Sequence, residues 1–349
     1  MRFKAKLAPE QISLFYSLVT SISGLSSSGG GGGGAGFGGG GGGGGDSSSF
    51  LRNGCMLFLD QESMRLSIRG KGTSECTGIA CFVELKSQGG IFMEHRIESI
   101  AEKNGILMEL DILQLRMALQ SIQQEKYQSS KNNKKRNHQS MTSTDQSYSQ
   151  FQQRVAILKL AKRNNTPCLC LEAGGVGGIE IQHAIPVRIA RASDVKHHLP
   201  PAVPLPNVQL ELSSTDRTPL RTIMERLRSI SPTILVTGNP TGQLILEISP
   251  DSDMAVGCSI RTVLDGLTPR MEACNPETSR GGACTVKVDS NKIAMCLQWQ
   301  QQTALVSTAF LCLVENEALV LHAMLNPSDV GFFTYYIPVH FLEDSAGDD

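Results

Sequence analysis

Ten cysteines and seven histidines are the residues of this chain best suited to nucleophilic or metal chemistry. The cysteines are Cys55, Cys76, Cys81, Cys168, Cys170, Cys258, Cys274, Cys284, Cys296 and Cys312. Structural zinc sites often contain a Cys-x-x-Cys pair, and none occurs here; Cys168 and Cys170 are two apart, but two sulfurs without further ligands do not form a zinc site. Most of the cysteines lie among apolar residues, which predicts buried free thiols in a reducing compartment. We therefore expect no metal site.

Motifs for hydrolysis and for nucleotide binding are also missing. A Gly-x-Ser-x-Gly nucleophile elbow does not occur. The glycine run within residues 26–49 is not followed by the Lys-Ser or Lys-Thr of a phosphate-binding loop. The segment AGGVGG, residues 173–178, lies between two strand patterns and indicates a hairpin turn. These patterns predict a protein that is not an enzyme, with an unrecognised Cys or His active site as the distant alternative.

The charge of the chain is nearly balanced, with 32 Lys and Arg against 33 Asp and Glu. A protein that holds nucleic acid through its phosphates is usually basic, so contact with DNA would need a local basic surface. The basic run at residues 131–136 could be a nuclear import signal, although a solvated loop is the commoner explanation. No apolar run of about 18 residues occurs, so no membrane span is expected.

The elements that would position functional residues occur twice along the chain. The segment MELDILQLRMALQ, residues 108–120, aligns with VKVDSNKIAMCLQ, residues 286–298. In each copy a strand pattern ends at an aspartate, Asp111 or Asp289. Because aspartate side chains accept hydrogen bonds from the first turn of a helix, each is predicted to cap a short amphipathic helix.

The same order of elements extends outward from this pair of segments. Alternating strand patterns at residues 2–8 and 207–213 each precede a longer amphipathic helix. Each half closes on the triplet Ile-Pro-Val, at residues 185–187 and 337–339. Both halves therefore contain a strand, a helix, several strands, a second helix and further strands, which predicts one domain design repeated.

The low-complexity segments and the prolines divide the chain further. We predict an N-terminal domain at residues 1–190, a linker at 191–206, a C-terminal domain at 207–343 and a tail at 344–349. Residues 26–49 are almost entirely Gly and Ser, and residues 125–150 are polar, so both are predicted to be flexible inserts in the first domain. The prolines of the linker predict an extended connection.

Several stretches of the sequence resemble one family. They are MRFKAKL, FMEHRIESIAEKNGILMELDILQLRMALQ, HAIPVRI, PPAVPLPNVQLEL, LRTIMERLRSIS and TYYIPVHF. Together they resemble the Hus-type subunit of the DNA-damage checkpoint clamp, the nine-one-one heterotrimer, within the sliding-clamp family. The resemblance covers nearly the whole chain outside the two inserts. It implies an α+β fold, the DNA sliding-clamp fold, with two pseudo-repeated β-rich domains that each carry two short helices.

The resemblance also implies a function that has no catalytic site and requires no cofactor. Three different subunits would form a ring that encircles double-stranded DNA in the nucleus, with the helices lining the hole. A clamp loader would open the ring with ATP, and the loaded ring would serve as a platform for checkpoint and repair proteins. The nearer alternative is a homotrimeric replication clamp, a processivity factor.

Basic residues on the helices are implied to face the DNA. On the third helix Arg217, Arg221 and Arg228 share a face at spacings of four and seven. Arg116 on the second helix and Lys292 on the fourth are candidates of the same kind. An ordinary solvated helix face is the alternative.

Two further sets of residues are implied by the resemblance. Edge strands near residues 179–185 and 255–264 would pair with neighbouring subunits, through Ile179, Ile181, Ile185, Val256, Ile260 and Val263. The linker would seat partner peptides through Val195, Leu199, Val203 and Leu205. The alternatives are strands that pair only within their own domain, and linker residues that pack on the sheet beneath them.

Overall fold

In this computed structural model, the described residues are 1–27, 54–69, 78–87, 90–101, 104–123, 155–174, 180–191, 198–248, 259–274, 282–301 and 304–341. The predicted insert at 125–150, nearly all of the insert at 26–49 and the predicted tail lie outside them. Contacts divide the chain into two units. The first comprises the described residues within Met1–Ser23, Gly39–Leu66 and Leu85–His197, and the second those within Gly24–Gly38, Ser67–Glu84 and His198–Asp349. The second unit thus includes Ser67–Glu84, which lies inside the predicted N-terminal domain.

The N-terminal half of the chain contains two helices among its strands. In chain order the elements are β1 (Arg2–Leu7), α1 (Pro9–Ser27), β2 (Gly54–Leu59), β3 (Ser63–Arg69), β4 (Ala80–Lys86), β5 (Glu94–Glu98), β6 (Ile106–Asp111), α2 (112–123), β7 (Ala156–Arg163), β8 (Thr166–Gly174) and β9 (Glu180–Ile189). Antiparallel pairing gives the order β5-β1-β7-β8-β9. Strand β9 then pairs with β6, and β6 with β2.

The C-terminal half repeats this order. Its elements are β10 (Val208–Leu212), α3 (Ser214–Leu227), β11 (Thr233–Gly238), β12 (Leu244–Ile248), β13 (Ile260–Leu264), β14 (Thr268–Pro269), β15 (Cys284–Asp289), α4 (Ser290–Cys296), β16 (Val306–Val314), β17 (Ala318–Leu325) and β18 (Gly331–His340). The pairing gives β14-β10-β16-β17-β18 and then β18-β15-β11-β12-β13. The predicted duplication of elements is confirmed.

The repeated Ile-Pro-Val triplet marks the place where a strand changes partners. In β9, Pro186 is the last residue paired with β8, and Val187 is already paired with β6. In β18, Pro338 and Val339 make the same transition, from β17 to β15. A proline has no N–H to donate, so a point where the ladder changes sides tolerates it well. The triplet therefore serves the fold of each half.

The two repeated aspartates cap helices as predicted. Asp289 Oδ1 accepts hydrogen bonds from the backbone N–H groups of Asn291 and Lys292, at 2.9 and 3.2 Å. Asp111 Oδ1 accepts from the N–H groups of Leu113 and Gln114, at 2.8 and 3.3 Å. These bonds satisfy N–H groups that have no partner within the helix.

Replacing Asp289 with alanine is expected to lower the free energy of unfolding by about 1 kcal/mol, because two N–H groups lose their acceptor. Urea denaturation followed by circular dichroism measures the change. Asp289→Asn keeps an acceptor oxygen and is the matched control, with most of the stability retained. A loss of the same size in both variants would contradict the capping role.

Candidate subunit interface and DNA-facing helices

Strand β9 has a free edge along its first seven residues. Residues Glu180 to Pro186 pair with β8 on one side. On their other side, none of the strands in the described part of the chain pairs with them, because β6 begins to pair at Val187. Along this portion Ile185 is buried and Ile181 is half-buried, so both lie on the inward face of the strand. Ile179 lies outside the described residues.

Strand β13 is a second edge, in the other unit. Its five residues pair with β12, and no other described strand pairs with them. The side chain of Val263 is 41% exposed, and Ile260 is half-buried. Val256 lies outside the described residues. An edge strand of this kind presents unpaired N–H and C=O groups that can pair with another chain.

A hydrogen bond that the sequence did not suggest holds β9 to α2. Ser121 Oγ lies 2.5 Å from His183 Nε2, although the two residues are 62 positions apart. The Ser121 hydroxyl donates to Ala118 O at 2.9 Å, so it accepts from the imidazole N–H. This pair resembles a nucleophile with its base, but the serine proton is already committed to a backbone carbonyl. The bond positions the edge strand.

The prediction that Arg217 shares an exposed face with Arg221 and Arg228 is wrong. Arg217 is 6% exposed. Its Nε, Nη1 and Nη2 groups donate to the carbonyl oxygens of Leu212, Val306 and Ser307, at 3.1, 3.0 and 2.8 Å. Its guanidinium carbon lies 5.6 Å from the centre of the Trp299 ring. Burial lowers the pKa of Arg217, but an arginine starts so far above neutrality that it stays charged at pH 7.

The other predicted DNA-facing residues are partly exposed. Arg221 and Lys292 are half-buried, on α3 and α4. Arg228, just after α3, forms an ion pair with Glu225 at 2.6 Å. Arg116 on α2 donates from Nη1 to Ser23 Oγ on α1 at 3.2 Å. Arg226 on α3 is exposed, but it was not predicted, because the search for a shared face selected Arg217, Arg221 and Arg228.

The described part of the linker is largely exposed. Leu199 is 42% exposed and Leu205 is 61% exposed, while Val203 is half-buried. Val195 lies outside the described residues. Apolar side chains that remain accessible on an extended segment are available to a partner peptide.

The described cysteines do not have the environment of nucleophiles. None of these eight cysteines forms a disulfide bond, and seven are buried. Burial raises the pKa of Cys284 and Cys312 to about 12, whereas a reactive cysteine needs a lowered pKa. Within the described residues, no cluster of three or more His, Cys, Asp or Glu could hold a metal ion. None of the described helices is long and apolar enough to cross a membrane.

Solved structures define the fold of the chain. Proliferating cellular nuclear antigen from Entamoeba histolytica matches with a TM-score of 0.58 and 11% identity, over 97% of this chain and 99% of that chain. The antigen from Thermococcus kodakaraensis matches with a TM-score of 0.55 and 13% identity, over 97% and 100%. The chain therefore has the α+β sliding-clamp fold, as predicted.

The sequence comparisons give the family. The family described as Hus1-like protein matches residues 46–340. The Schizosaccharomyces pombe protein named checkpoint protein hus1 is 26% identical over 202 residues, which are 53% of this chain and 67% of that protein. The chain belongs to the Hus1-like family and is a checkpoint clamp subunit. The predicted resemblance is confirmed, and the family favours it over a replication clamp.

Proposed function

We propose that this chain is one of three different subunits in a closed ring that encircles double-stranded DNA in the nucleus. The ring would be opened by an ATP-using clamp loader and would act, without catalysis, as a platform for checkpoint and repair proteins. The observation that carries this proposal is the pair of edge strands β9 and β13, one in each unit. Two edges per chain let each subunit contact two neighbours, which a closed ring requires.

The internal repeat supports this use of the edges. Strand β18 is the repeat equivalent of β9, since each closes its half through Ile-Pro-Val. Strand β4 is the equivalent of β13, since each is the third strand of its series, after β2 and β3 or after β11 and β12. In the second unit β18 pairs with β4, and the rings of Phe82 and Tyr336 lie 5.7 Å apart. Pairing of β9 with a neighbour's equivalent of β13 would repeat this contact between subunits.

Encirclement is compatible with the near-neutral charge of the chain. A closed ring retains DNA by topology, so strong phosphate binding is not needed and would hinder sliding. A few cations on the helices are enough for a loose electrostatic contact. We propose that Arg221, Arg228, Lys292 and Arg116 supply it, and that Arg217 does not.

Lys292→Gln in the assembled ring is expected to weaken DNA binding uniformly across sequences. Removal of one bound phosphate reduces the slope of log K against log salt by about 0.9. Titrations of DNA with the ring at several salt concentrations measure the slope. Lys4→Gln, at an exposed site on β1, is the matched control and should leave the slope unchanged. Equal slopes for the native ring and both variants would remove Lys292 from the DNA-facing set.

Light scattering tests the ring itself. The purified chain is measured alone and then mixed with the two candidate partner subunits. A monomer that enters a one-to-one-to-one complex supports the proposal. A homotrimer would favour the replication-type clamp. A monomer that binds neither partner subunit would contradict the heterotrimeric ring.

The exposed linker residues are proposed to bind short motifs of checkpoint and repair proteins. Leu199 and Leu205 are accessible, and the prolines around them keep the segment extended, which lowers the entropy cost of binding. Loss of peptide binding in Leu205→Ser, with ring assembly unchanged, is the expected result.

A further inference from the structure

The last three strands of the chain have an unusual composition for an antiparallel sheet. None of the residues in β16, β17 and β18 is Lys, Arg, Asp or Glu. The corresponding strands of the first half carry Lys159, Lys162, Arg163, Glu172, Glu180 and Arg188. Antiparallel sheets commonly place apolar residues toward the core and polar residues toward solvent. The second face of these three strands therefore differs from a typical solvent-facing sheet surface, because it carries no charged side chain.

The pairing register separates the two faces. Leu311, Leu321 and Tyr335 lie opposite one another and are buried in the core. The alternate residues point to the other side of the sheet. Four of them, Phe310, His322, Met324 and Phe332, are half-buried, and we call these four the aromatic face.

The rings of the aromatic face form one continuous patch. The centres of the Phe310 and His322 rings are 6.3 Å apart and the rings are stacked, and those of His322 and Phe332 are 5.1 Å apart. His322 Nδ1 lies 2.8 Å from Thr334 Oγ1. Burial lowers the pKa of His322, so its ring is neutral at pH 7 and the patch carries no formal charge.

The rim of the patch is acidic. The turn between β16 and β17 exposes Glu315 and Glu317, and the turn between β17 and β18 exposes Asp329. The carboxylate of Glu211, opposite Phe310 on the neighbouring strand β10, is already neutralised by an ion pair with Arg270 at 2.5 Å. A partner with cations at both ends and no charge in the middle would match this distribution.

We propose that the aromatic face binds a protein segment with aromatic or aliphatic anchors in its centre and Lys or Arg on its flanks. Half-buried rings in a shared patch can lose their remaining contact with water when an anchor packs on them, which is how most binding free energy arises at interfaces. A polyanion such as DNA is disfavoured by the three rim carboxylates. The site lies on different residues from the edge strands and the linker, and it does not depend on ring formation.

The proposal is tested on the full chain with a fluorescein-labelled peptide that carries two phenylalanines between pairs of lysines. Fluorescence anisotropy is expected to show saturable binding. Phe332→Ser should weaken it about tenfold or more, which corresponds to about 1.4 kcal/mol. Phe341→Ser, at a 79% exposed position just beyond the end of β18, is the matched control and should bind as the native chain does. A peptide with glutamates in place of the lysines, or serines in place of the phenylalanines, should bind much more weakly.

Methionine methyl groups give a direct map that does not rely on a variant that folds well. In a chain labelled with ¹³C at the methionine methyls, the peptide should shift the Met324 resonance. Met93 and Met117, which are 50% and 56% exposed elsewhere in the chain, should not move. A shift at those two residues without Met324, equal binding by Phe332→Ser, or equal binding of the glutamate peptide would overturn the proposal. A concentration-dependent dimer that Phe332→Ser abolishes would instead assign the face to a second copy of the chain.

Discussion

Arg217→Ala is expected to destabilise the second unit by about 3 kcal/mol or more. The substitution removes the donor from three carbonyl oxygens, those of Leu212, Val306 and Ser307, and the bonds to the first two are buried. A buried acceptor without a partner costs about 1–3 kcal/mol, and hydrogen bonds from a charged group are stronger than neutral ones. The stacking of the guanidinium on Trp299 disappears as well.

The chain has a single tryptophan, Trp299, which lies in the second unit. Its fluorescence therefore reports the unfolding of that unit. The midpoint of urea unfolding is followed by Trp299 fluorescence. Arg226→Ala, on the exposed side of the same helix, is the control and should change stability by no more than about 0.5 kcal/mol. Arg217→Lys should recover little, because an ammonium cannot reach three carbonyls in the planar pattern of a guanidinium. Equal midpoints for Arg217→Ala and the control would show that the buried network contributes little.

The burial of Arg217 could have been predicted from the sequence. It precedes Leu220 by three residues and Met224 by seven, the spacing that also places Leu227 on the buried stripe. Its spacing of four residues from Arg221 favoured the wrong face of the helix. Two of the three carbonyls that accept from its guanidinium belong to residues 89 and 90 positions away, so no local sequence pattern predicts these hydrogen bonds.

The caps and the duplication could be predicted because both depend on short-range chemistry. An aspartate at the end of a strand pattern can cap the helix that follows it, so Asp111 and Asp289 were enough to predict where α2 and α4 begin. The edge strands are different. Whether a strand has one neighbour or two depends on the pairing of distant segments, so Val263 was placed at an edge by family resemblance. The absence of charged residues from the last three strands was visible in the sequence, but which of their residues share a face follows only when the register is known.

Two substitutions, one on each edge, are expected to separate the neighbours of this subunit. Ala184 lies two residues before Pro186, so its backbone N–H points to the same side as the position where β9 already tolerates a proline, away from β8. Ala184→Pro should therefore leave the β8 ladder intact and remove a donor from the free edge. Val263→Asp places a charge on the edge of β13, where the native valine is 41% exposed and contributes little to the core.

Each variant should lose one neighbour and keep the other. Binding of each candidate partner subunit is measured separately, and the affected complex is expected to weaken about tenfold or more, or about 1.4 kcal/mol. Ala184→Ser and Val263→Thr are the matched controls, because they keep the N–H and the side-chain shape. Native binding to both neighbours by both variants would show that the ring does not close through these strands. Loss of both neighbours in one variant that keeps its circular dichroism spectrum would mean that one edge serves two contacts. Loss of a single neighbour in each variant is expected because β9 and β13 lie in different units, and each edge has room for one strand of one neighbour.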